Sequence, residues 1–191
     1  IYIRAVGRGE TPPDYMARSV ALELETLQEA ASLTPERLRA GLDGVEYLPD
    51  FGVAKVDLAE RYFRRAEEIG RYGYGIYAGR HMFCLDDAGR VVPVRHPDPV
   101  SLEDLVGYER ERGLVLDNLR ALLAGKPAAN MLLTGDAGTG KSSTVKAACS
   151  VLRDEGLRMI EVRRDQLRHI PALLDALSEN PLKFILFIDD L

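Results

Sequence analysis

The stretch from Gly135 to Ser142 reads G-D-A-G-T-G-K-S, and its spacing, G-x-x-x-x-G-K-S, is that of a phosphate-binding loop. Its glycines allow the backbone to form a cup whose N–H groups point at anionic oxygens. Lys141 would carry a positive charge to the β- and γ-phosphates, and the Ser142 hydroxyl would bind a Mg²⁺ ion that bridges phosphate oxygens. The sequence therefore predicts a site for ATP and Mg²⁺. The predicted cofactor-binding residues of this loop are Gly135, Asp136, Ala137, Gly138, Thr139, Gly140, Lys141, Ser142 and Ser143.

The residues on either side of the loop fit the order strand, loop, helix. The apolar run at 130–134, N-M-L-L-T, predicts a buried strand. Gly156 predicts the end of the helix that follows the loop. The apolar residues of that helix recur with helical spacing at Val145, Ala148, Cys149 and Leu152. A glycine-rich surface turn is the alternative, and this order argues against it.

The chain continues as a P-loop fold requires. Residues 157–162 predict a second strand, and Pro171 is well placed at the first position of a helix that runs to Ser178. The run at 184–188, F-I-L-F-I, predicts a strand buried on both faces, and Asp189 and Asp190 follow it. Ligands of parallel α/β sheets bind at the carboxyl ends of strands. We therefore predict that Asp189 holds Mg²⁺ through its water shell.

Length, charge and cysteine content limit the number of domains, the partners and the compartment of the protein. The 191 residues fit one or two domains, and the net charge of −5 argues against a general nucleic-acid coat while leaving a local basic patch open. No apolar run approaches the roughly 20 residues that a membrane helix needs. Cys84 and Cys149 are predicted to be buried thiols, rather than a disulfide or a metal site. This fits a cytoplasmic protein in a reducing compartment.

The first hundred residues predict a separate region, made of short helices and a hairpin. Three helices are predicted to begin after Pro13, Thr34 and Asp57. The runs 82–85 and 91–94 predict a hairpin, with Pro93 on an edge strand. Residues 96–99, H-P-D-P, resemble a linker. The predicted domains are therefore 1–100 and 101–191.

Two features of this region could suggest ligand binding. The glycines at 73, 75 and 79 resemble a dinucleotide fingerprint, but their spacing is one residue too long and no apolar strand precedes them. Tyr72, Tyr74 and Tyr77, with nearby arginines, could stack nucleic-acid bases. Packing of these tyrosines against the core is the simpler alternative.

Six short runs of the chain carry a family resemblance: 96–99, 104–109 (D-L-V-G-Y-E), 125–128, 132–135, 138–143 and 184–191. Together they resemble a bacterial AAA+-like ATPase family that is described as domain of unknown function 815. The resemblance is good over residues 70–191 and weak before them.

The resemblance implies a P-loop ATPase with the AAA+ arrangement of its site. In that superfamily the segment 104–109 lies against adenine, so Val106 and Gly107 are candidates for the base pocket; an ordinary amphipathic core helix is the alternative. AAA+ proteins place Glu after the metal-binding Asp to orient the attacking water. Here that position is Asp190, which is one methylene shorter, so we expect either that hydrolysis is slow or that Asp190 serves only the metal. The implied catalytic residues are Lys141 and Asp190.

The resemblance also implies elements that would follow residue 191, namely a polar sensor strand, an arginine finger and a helical lid. We therefore interpret the chain as a fragment whose sheet lacks its middle strand and whose own turnover is weak or absent. We expect the full-length protein to form a homo-oligomer and to act on a protein partner. Nucleic acid stays open as a partner, and no membrane is expected.

The expected fold class is α/β: an AAA+-like P-loop NTPase with a parallel sheet that stops after the second acidic strand, preceded by a helical region plus hairpin. The expected function is Mg²⁺-dependent ATP hydrolysis that drives a conformational change in a partner or assembly. Two alternatives stay open. One is a nucleotide-gated binding module with little hydrolysis, and the other is a small-molecule kinase on a P-loop fold.

Overall fold

The computed structural model describes residues 1–45, 47–53 and 55–189. The chain divides into two compact units, Ile1–Glu68 and Ile69–Leu191. The first unit is helical. Its helices are α1 (Tyr2–Gly7), α2 (Asp14–Ala31), α3 (Pro35–Ala40) and α4 (Leu58–Glu67).

The three helix starts predicted for the first unit are confirmed, and two of them have side-chain caps. The Thr34 hydroxyl accepts a hydrogen bond from the Arg37 N–H (3.3 Å), and Asp57 Oδ1 accepts one from the Glu60 N–H (2.8 Å). Each contact satisfies one of the free N–H groups of a first helical turn. These short polar side chains therefore fix where α3 and α4 begin.

The second unit contains a four-stranded sheet with helices on both faces. Its helices are α5 (Ile69–Tyr72), α6 (Glu109–Leu123), α7 (Lys141–Leu152) and α8 (Ile170–Ser178), and its strands are β1 (Met82–Leu85), β2 (Val91–Pro93), β3 (Leu157–Glu161) and β4 (Lys183–Phe187). The strand order is β2-β1-β3-β4. β1, β3 and β4 are parallel, and β2 is antiparallel to β1. The α/β class is confirmed, and the sheet is mixed rather than purely parallel.

Side chains that alternate along the strands contribute to two separate apolar cores, one on each face of the sheet. One core lies between the sheet and helices α6 and α7, and includes Met82, Val115, Leu119, Cys149, Leu152, Leu157 and Met159, with Ile185 and Phe187 packed against it. The other lies under α8, and includes Phe83, Leu85, Ile160, Val162, Leu173 and Leu177. Since successive side chains point to opposite faces, the odd-numbered residues of β3 and β4 face α7.

The predicted hairpin is confirmed, and it extends the sheet of the second unit. Cys84 pairs with Val92, and Pro93 lies on the edge strand β2, where no ladder hydrogen bond is lost. β1 in turn pairs with β3. The hairpin therefore belongs to the unit that begins at Ile69. The domain boundary predicted after residue 100 stays a prediction.

The strand predicted at 130–134 is wrong for the described chain. These residues have no regular secondary structure, and Leu132 is 74% exposed. The segment is held at its start, because the Asn118 side chain exchanges two hydrogen bonds with the backbone of Ala129 (2.8 and 2.9 Å). A strand needs a partner for its N–H and C=O groups. Among the described residues, neither this segment nor the edge of β4 opposite β3 has a paired strand.

The predicted helix ends are confirmed around α7 and α8. Gly156 adopts a φ of +102° after the short 3₁₀ turn that follows α7. A Cβ at this position would collide with the Gly70 carbonyl oxygen, so glycine is required by both conformation and space. Pro171 lies in the first turn of α8, and α8 ends at Ser178 as predicted.

The tyrosine-rich segment before β1 is partly core. The Tyr77 ring lies 4.9 Å from the Phe83 ring and 5.2 Å from the Phe184 ring, measured between centroids. Gly73 and Gly75 adopt φ values of +66° and +61° in the turn before it. For Tyr77, packing explains the side chain without a nucleic-acid base.

Both cysteines are free thiols, as expected. Cys149 is buried on α7, and Cys84 is half-buried on β1. Burial raises the pKa of the Cys149 thiol to about 12, so this thiol is neutral at physiological pH.

Candidate functional site

The backbone of the glycine-rich loop requires glycine at three positions. Gly135, Gly138 and Gly140 have φ values of +140°, +80° and +79°. Side chains with a Cβ rarely adopt these angles, which explains glycine at all three positions. Gly140 is also the N-cap of α7. The loop thus turns the chain directly into the first turn of a helix.

Lys141 is the first residue of α7, and its side chain folds back onto the loop. Its Nζ donates hydrogen bonds to the carbonyl oxygens of Gly135 (2.9 Å) and Asp136 (2.8 Å). The Thr139 hydroxyl also donates to the Asp136 carbonyl oxygen (2.9 Å). The ammonium group therefore lies within the loop, where an anionic oxygen could replace the neutral carbonyls as its partner.

The structure brings Ser142 and Asp189 together. The Ser142 hydroxyl donates a hydrogen bond to Asp189 Oδ1 at 2.8 Å, across 47 residues of sequence. Ser142 is the second residue of α7, and Asp189 lies two residues beyond the end of β4. The start of the helix and the carboxyl end of the strand therefore meet at this contact.

The Ser142–Asp189 pair can be tested for its fit to Mg²⁺. Among the described residues, no group of three or more His, Cys, Asp or Glu side chains is arranged to hold a metal. Mg²⁺ in nucleotide sites needs fewer protein ligands, because phosphate oxygens and water complete its shell. A hydroxyl and a carboxylate are the hard oxygen donors that this ion prefers. The pair therefore fits Mg²⁺ only together with bound phosphates.

The start of α7 favours an anion on electrostatic grounds. The helix is 12 residues long and has no acidic side chain in its first turn. Its free N–H groups and dipole give this end a positive potential. Lys141 adds a full positive charge at the same place. Negative charge in the loop is therefore stabilised by both backbone and side chain.

A second polar contact joins α7 to the sheet close to this site. Lys146 Nζ lies 3.8 Å from Glu161 Oε2, at the carboxyl end of β3. It also lies 6.0 Å from the centre of the Phe187 ring. This pair was not predicted from the sequence. Two signals point to it: Lys146 lies four residues after Ser142, and Glu161 follows two apolar residues, Leu157 and Met159, on the same face of β3.

Of the two residues predicted for the base pocket, Val106 is 95% exposed and Gly107 adopts a φ of +77°. Both lie between a 3₁₀ turn, Leu102–Asp104, and α6. Within this segment, Leu105 comes close to the loop, since its Cδ2 is 3.8 Å from where a Cβ on Gly140 would stand. The base pocket at Val106 and Gly107 stays a prediction, and Asp190 lies outside the described residues.

The segment before α6 is nevertheless fixed in place. Ser101 and Asp104 form a capping box, with Asp104 Oδ2 accepting from the Ser101 N–H at 3.0 Å. Arg112 on α6 donates hydrogen bonds to the carbonyl oxygens of Leu102 and Leu105. Leu105 is therefore held by α6 where it approaches the loop.

Comparison with known families matches residues 79–191 to the family described as Protein of unknown function (DUF815). The chain belongs to the DUF815 family. The match covers all four strands of the sheet, the loop and Asp189. No curated protein and no solved structure matches this DUF815 chain. None of its described helices is long and apolar enough to span a membrane.

Proposed function

We propose that this DUF815 protein binds Mg·ATP at residues 135–143 and hydrolyses it as a P-loop ATPase of AAA+ type. Hydrolysis would drive a conformational change in a partner protein or in an assembly. The hydrogen bond from Ser142 to Asp189 carries the proposal. P-loop NTPases hold Mg²⁺ and nucleotide with two parts, a phosphate-binding loop and an acidic residue at the end of a strand. In this chain, the glycine-rich loop segment and the acidic residue after β4 meet at hydrogen-bond distance.

Each residue has a role in this proposal. The loop N–H groups and Lys141 bind the phosphates, and Ser142 and Asp189 hold Mg²⁺ directly and through its water shell. Bound Mg²⁺ neutralises the charge that develops on the phosphates. Asp190 would orient the attacking water. Val106 and Gly107 would contact the base.

A nucleotide-gated binding module that hardly turns over is the second candidate. The identity of residue 190 favours it, because aspartate is one methylene shorter than the glutamate that AAA+ proteins use. A carboxylate that is about 1 Å out of place can slow the reaction about 100-fold. Phosphate release separates this candidate from the ATPase, since both would bind Mg·ATP.

The proposed setting is a homo-oligomer in the cytosol with a protein partner. The cytosolic part rests on the free thiols of Cys84 and Cys149, which a reducing compartment keeps unpaired. The oligomer and the partner rest on the AAA+ resemblance alone. Light scattering with and without Mg·ATP tests the oligomer.

Calorimetry with Mg·ATP tests the proposal. Lys141→Ala removes a charge-assisted contact worth about 1.5–3 kcal/mol, so ATP affinity should fall at least about tenfold. Lys126→Ala is the matched control, since Lys126 is an exposed lysine outside the loop. Equal ATP affinity of the Lys141→Ala variant and the wild-type protein would exclude the loop as the phosphate site.

A further inference from the structure

Helix α7 contacts the sheet through two polar pairs, Ser142–Asp189 and Lys146–Glu161, which follow one another along the helix. Ser142 and Lys146 are four residues apart, so their positions differ by about 6 Å along the helix. Glu161 is the Cα partner of Phe187. Asp189 lies two residues further on, which is about 6.6 Å along an extended chain. The rise of the helix thus matches the rise of the strands, and the pairs Ser142–Asp189 and Lys146–Glu161 form two successive contacts.

The Lys146–Glu161 contact is less exposed than the Arg163–Asp87 ion pair of the same unit. The two side chains are 25% and 35% exposed. In contrast, the Arg163–Asp87 pair is 56% and 100% exposed. An exposed pair contributes little because water screens it, whereas a half-buried pair is screened less.

The surroundings of the pair explain why its geometry is fixed. Glu161 follows Met159 on the face of β3 that packs against α7, so its carboxylate stands at the rim of an apolar core. The Lys146 ammonium lies over the Phe187 ring of β4. α7, β3 and β4 therefore all contribute to this one contact. A shift of α7 along its axis would break it.

We propose that Lys146 and Glu161 are a positioning pair, which sets the axial register of α7 so that Ser142 meets Asp189 at the Mg²⁺ position. The inference rests on the proposed function, because it assigns Mg²⁺ to Ser142 and Asp189. The pair acts through α7 rather than by contact with nucleotide. The loop N–H groups and Lys141 precede the pair by at least one helical turn and bind phosphate without it. Loss of the pair therefore weakens Mg²⁺-dependent binding selectively.

The first test measures the Mg²⁺ concentration at half-maximal ATP binding, and the ATP affinity in EDTA. Lys146→Met keeps the stem against Phe187 and removes the charge, and Glu161→Gln keeps the shape. Each should raise the half-maximal Mg²⁺ concentration about fivefold, the value of one ordinary hydrogen bond, with little change in EDTA. The exchange K146E/E161K should restore the wild-type value. Arg120→Met, which breaks the exposed Arg120–Asp117 pair on α6, is the control.

The second test needs no nucleotide, so it separates the positioning pair from the proposed function. Ser142→Ala and Lys146→Met are combined, and urea unfolding is measured for each variant and for the double variant. If the pair holds Ser142 against Asp189, the two substitutions are non-additive, and the unfolding constant departs at least about threefold from the product of the single effects. Additive effects would overturn the positioning pair.

The outcomes of the two tests are distinct. If the wild-type protein binds no ATP, the proposed function is contradicted. The unfolding experiment then tests by itself whether Lys146 and Glu161 position Ser142. Equal losses of ATP affinity with Mg²⁺ and in EDTA would mean that the pair only supports the fold, and would overturn the inference. A raised Mg²⁺ requirement that the exchanged pair restores supports it.

Discussion

Asp189 contacts the glycine-rich loop segment through the Ser142 hydroxyl. A hydroxyl that donates to a carboxylate is held in one orientation, with its lone pairs directed elsewhere. That orientation leaves the Ser142 oxygen able to accept a cation. At the scale of single residues, one hydrogen bond therefore fixes the geometry of the proposed Mg²⁺ ligands.

Asp189→Asn should weaken ATP binding in the presence of Mg²⁺ and leave binding in EDTA nearly unchanged. The amide keeps the size of the side chain but removes the negative charge that faces the metal. Calorimetry at several Mg²⁺ concentrations measures the effect. Asp175→Asn on α8 is a control, because Asp175 lies on the helix that covers the opposite face of the sheet. If ATP binding by Asp189→Asn depends on Mg²⁺ as it does in the wild-type protein, Asp189 does not hold the metal.

Asp190→Asn should leave ATP affinity unchanged and reduce the rate of phosphate release. A neutral amide cannot accept a proton from the attacking water, whereas the loop and Asp189 still bind Mg·ATP. Release of inorganic phosphate under saturating Mg·ATP is the measurement. A wild-type rate in this variant would show that Asp190 does not orient the water, and would favour the binding-module alternative.

His81 should make stability depend on pH. Burial is the main cause that lowers the pKa of His81 below its ordinary value of 6.5, and Arg153 and Arg158 lower it further. As pH falls below 6.5, the unfolded chain takes up a proton that folded His81 resists, so stability is lost until the pH reaches the folded pKa. His81→Gln should therefore show a flatter decline of the unfolding free energy between pH 7 and pH 5. His96→Gln, at an exposed position, should decline as wild type does.

At the scale of elements, much of the second unit follows from local sequence signals. The strand predicted at 157–162 appears as Leu157–Glu161, and that at 184–188 appears as Lys183–Phe187. Apolar runs of this length have few alternatives when glycine or proline bounds them. The predicted hairpin turns at 86–89, D-D-A-G, where Gly89 adopts a φ of +76°.

The predictions that failed, and the contacts that were missed, depend on partners distant in sequence. Residues 130–134 have the composition of a strand, but strand formation needs a paired neighbour. Arg158 interrupts the apolar pattern of β3 and is still only 4% exposed. Its Nε donates a hydrogen bond to the Tyr77 carbonyl oxygen (3.0 Å), which lies 81 residues earlier in the chain. The Lys146–Glu161 pair likewise depends on the register of α7 against the sheet. Periodicity describes one element and cannot report such contacts.

Gly156→Ala should destabilise the protein by about 1–3 kcal/mol, the usual range for a strained backbone position. Gly156 has a φ of +102°, and an added Cβ would collide with the backbone of Gly70. Gly113→Ala is the matched control, since Gly113 lies inside α6 with nothing within 4 Å of an added Cβ. That change should stabilise α6 by about 0.5–1 kcal/mol. Urea unfolding of the two variants should therefore shift in opposite directions.

At the scale of the whole molecule, the candidate site lies entirely in one unit. The loop, Ser142, Asp189 and the Lys146–Glu161 pair all belong to Ile69–Leu191. The match to the DUF815 family, over residues 79–191, also lies inside this unit. The helix after the glycine-rich loop, the strands β3 and β4 and the helix α8 between them could be predicted from the sequence. The 2.8 Å hydrogen bond between Ser142 and Asp189 could not be predicted from the sequence, because it depends on how α7 lies against β4.

Mg·ATP should therefore stabilise the second unit in particular. A ligand that binds only the folded state at 100 times its dissociation constant adds about 2.7 kcal/mol of stability. Hydrogen exchange, measured by peptide-resolved mass spectrometry, should slow in residues 135–152 and 183–189 when Mg·ATP is added. Peptides from the first unit provide an internal reference in the same sample. The Lys141→Ala variant should lose most of this protection at the same ATP concentration, because its affinity is lower by at least about tenfold. Protection of equal size in the variant, or none in the loop and α7 of the wild-type protein, would place any ATP binding outside the loop.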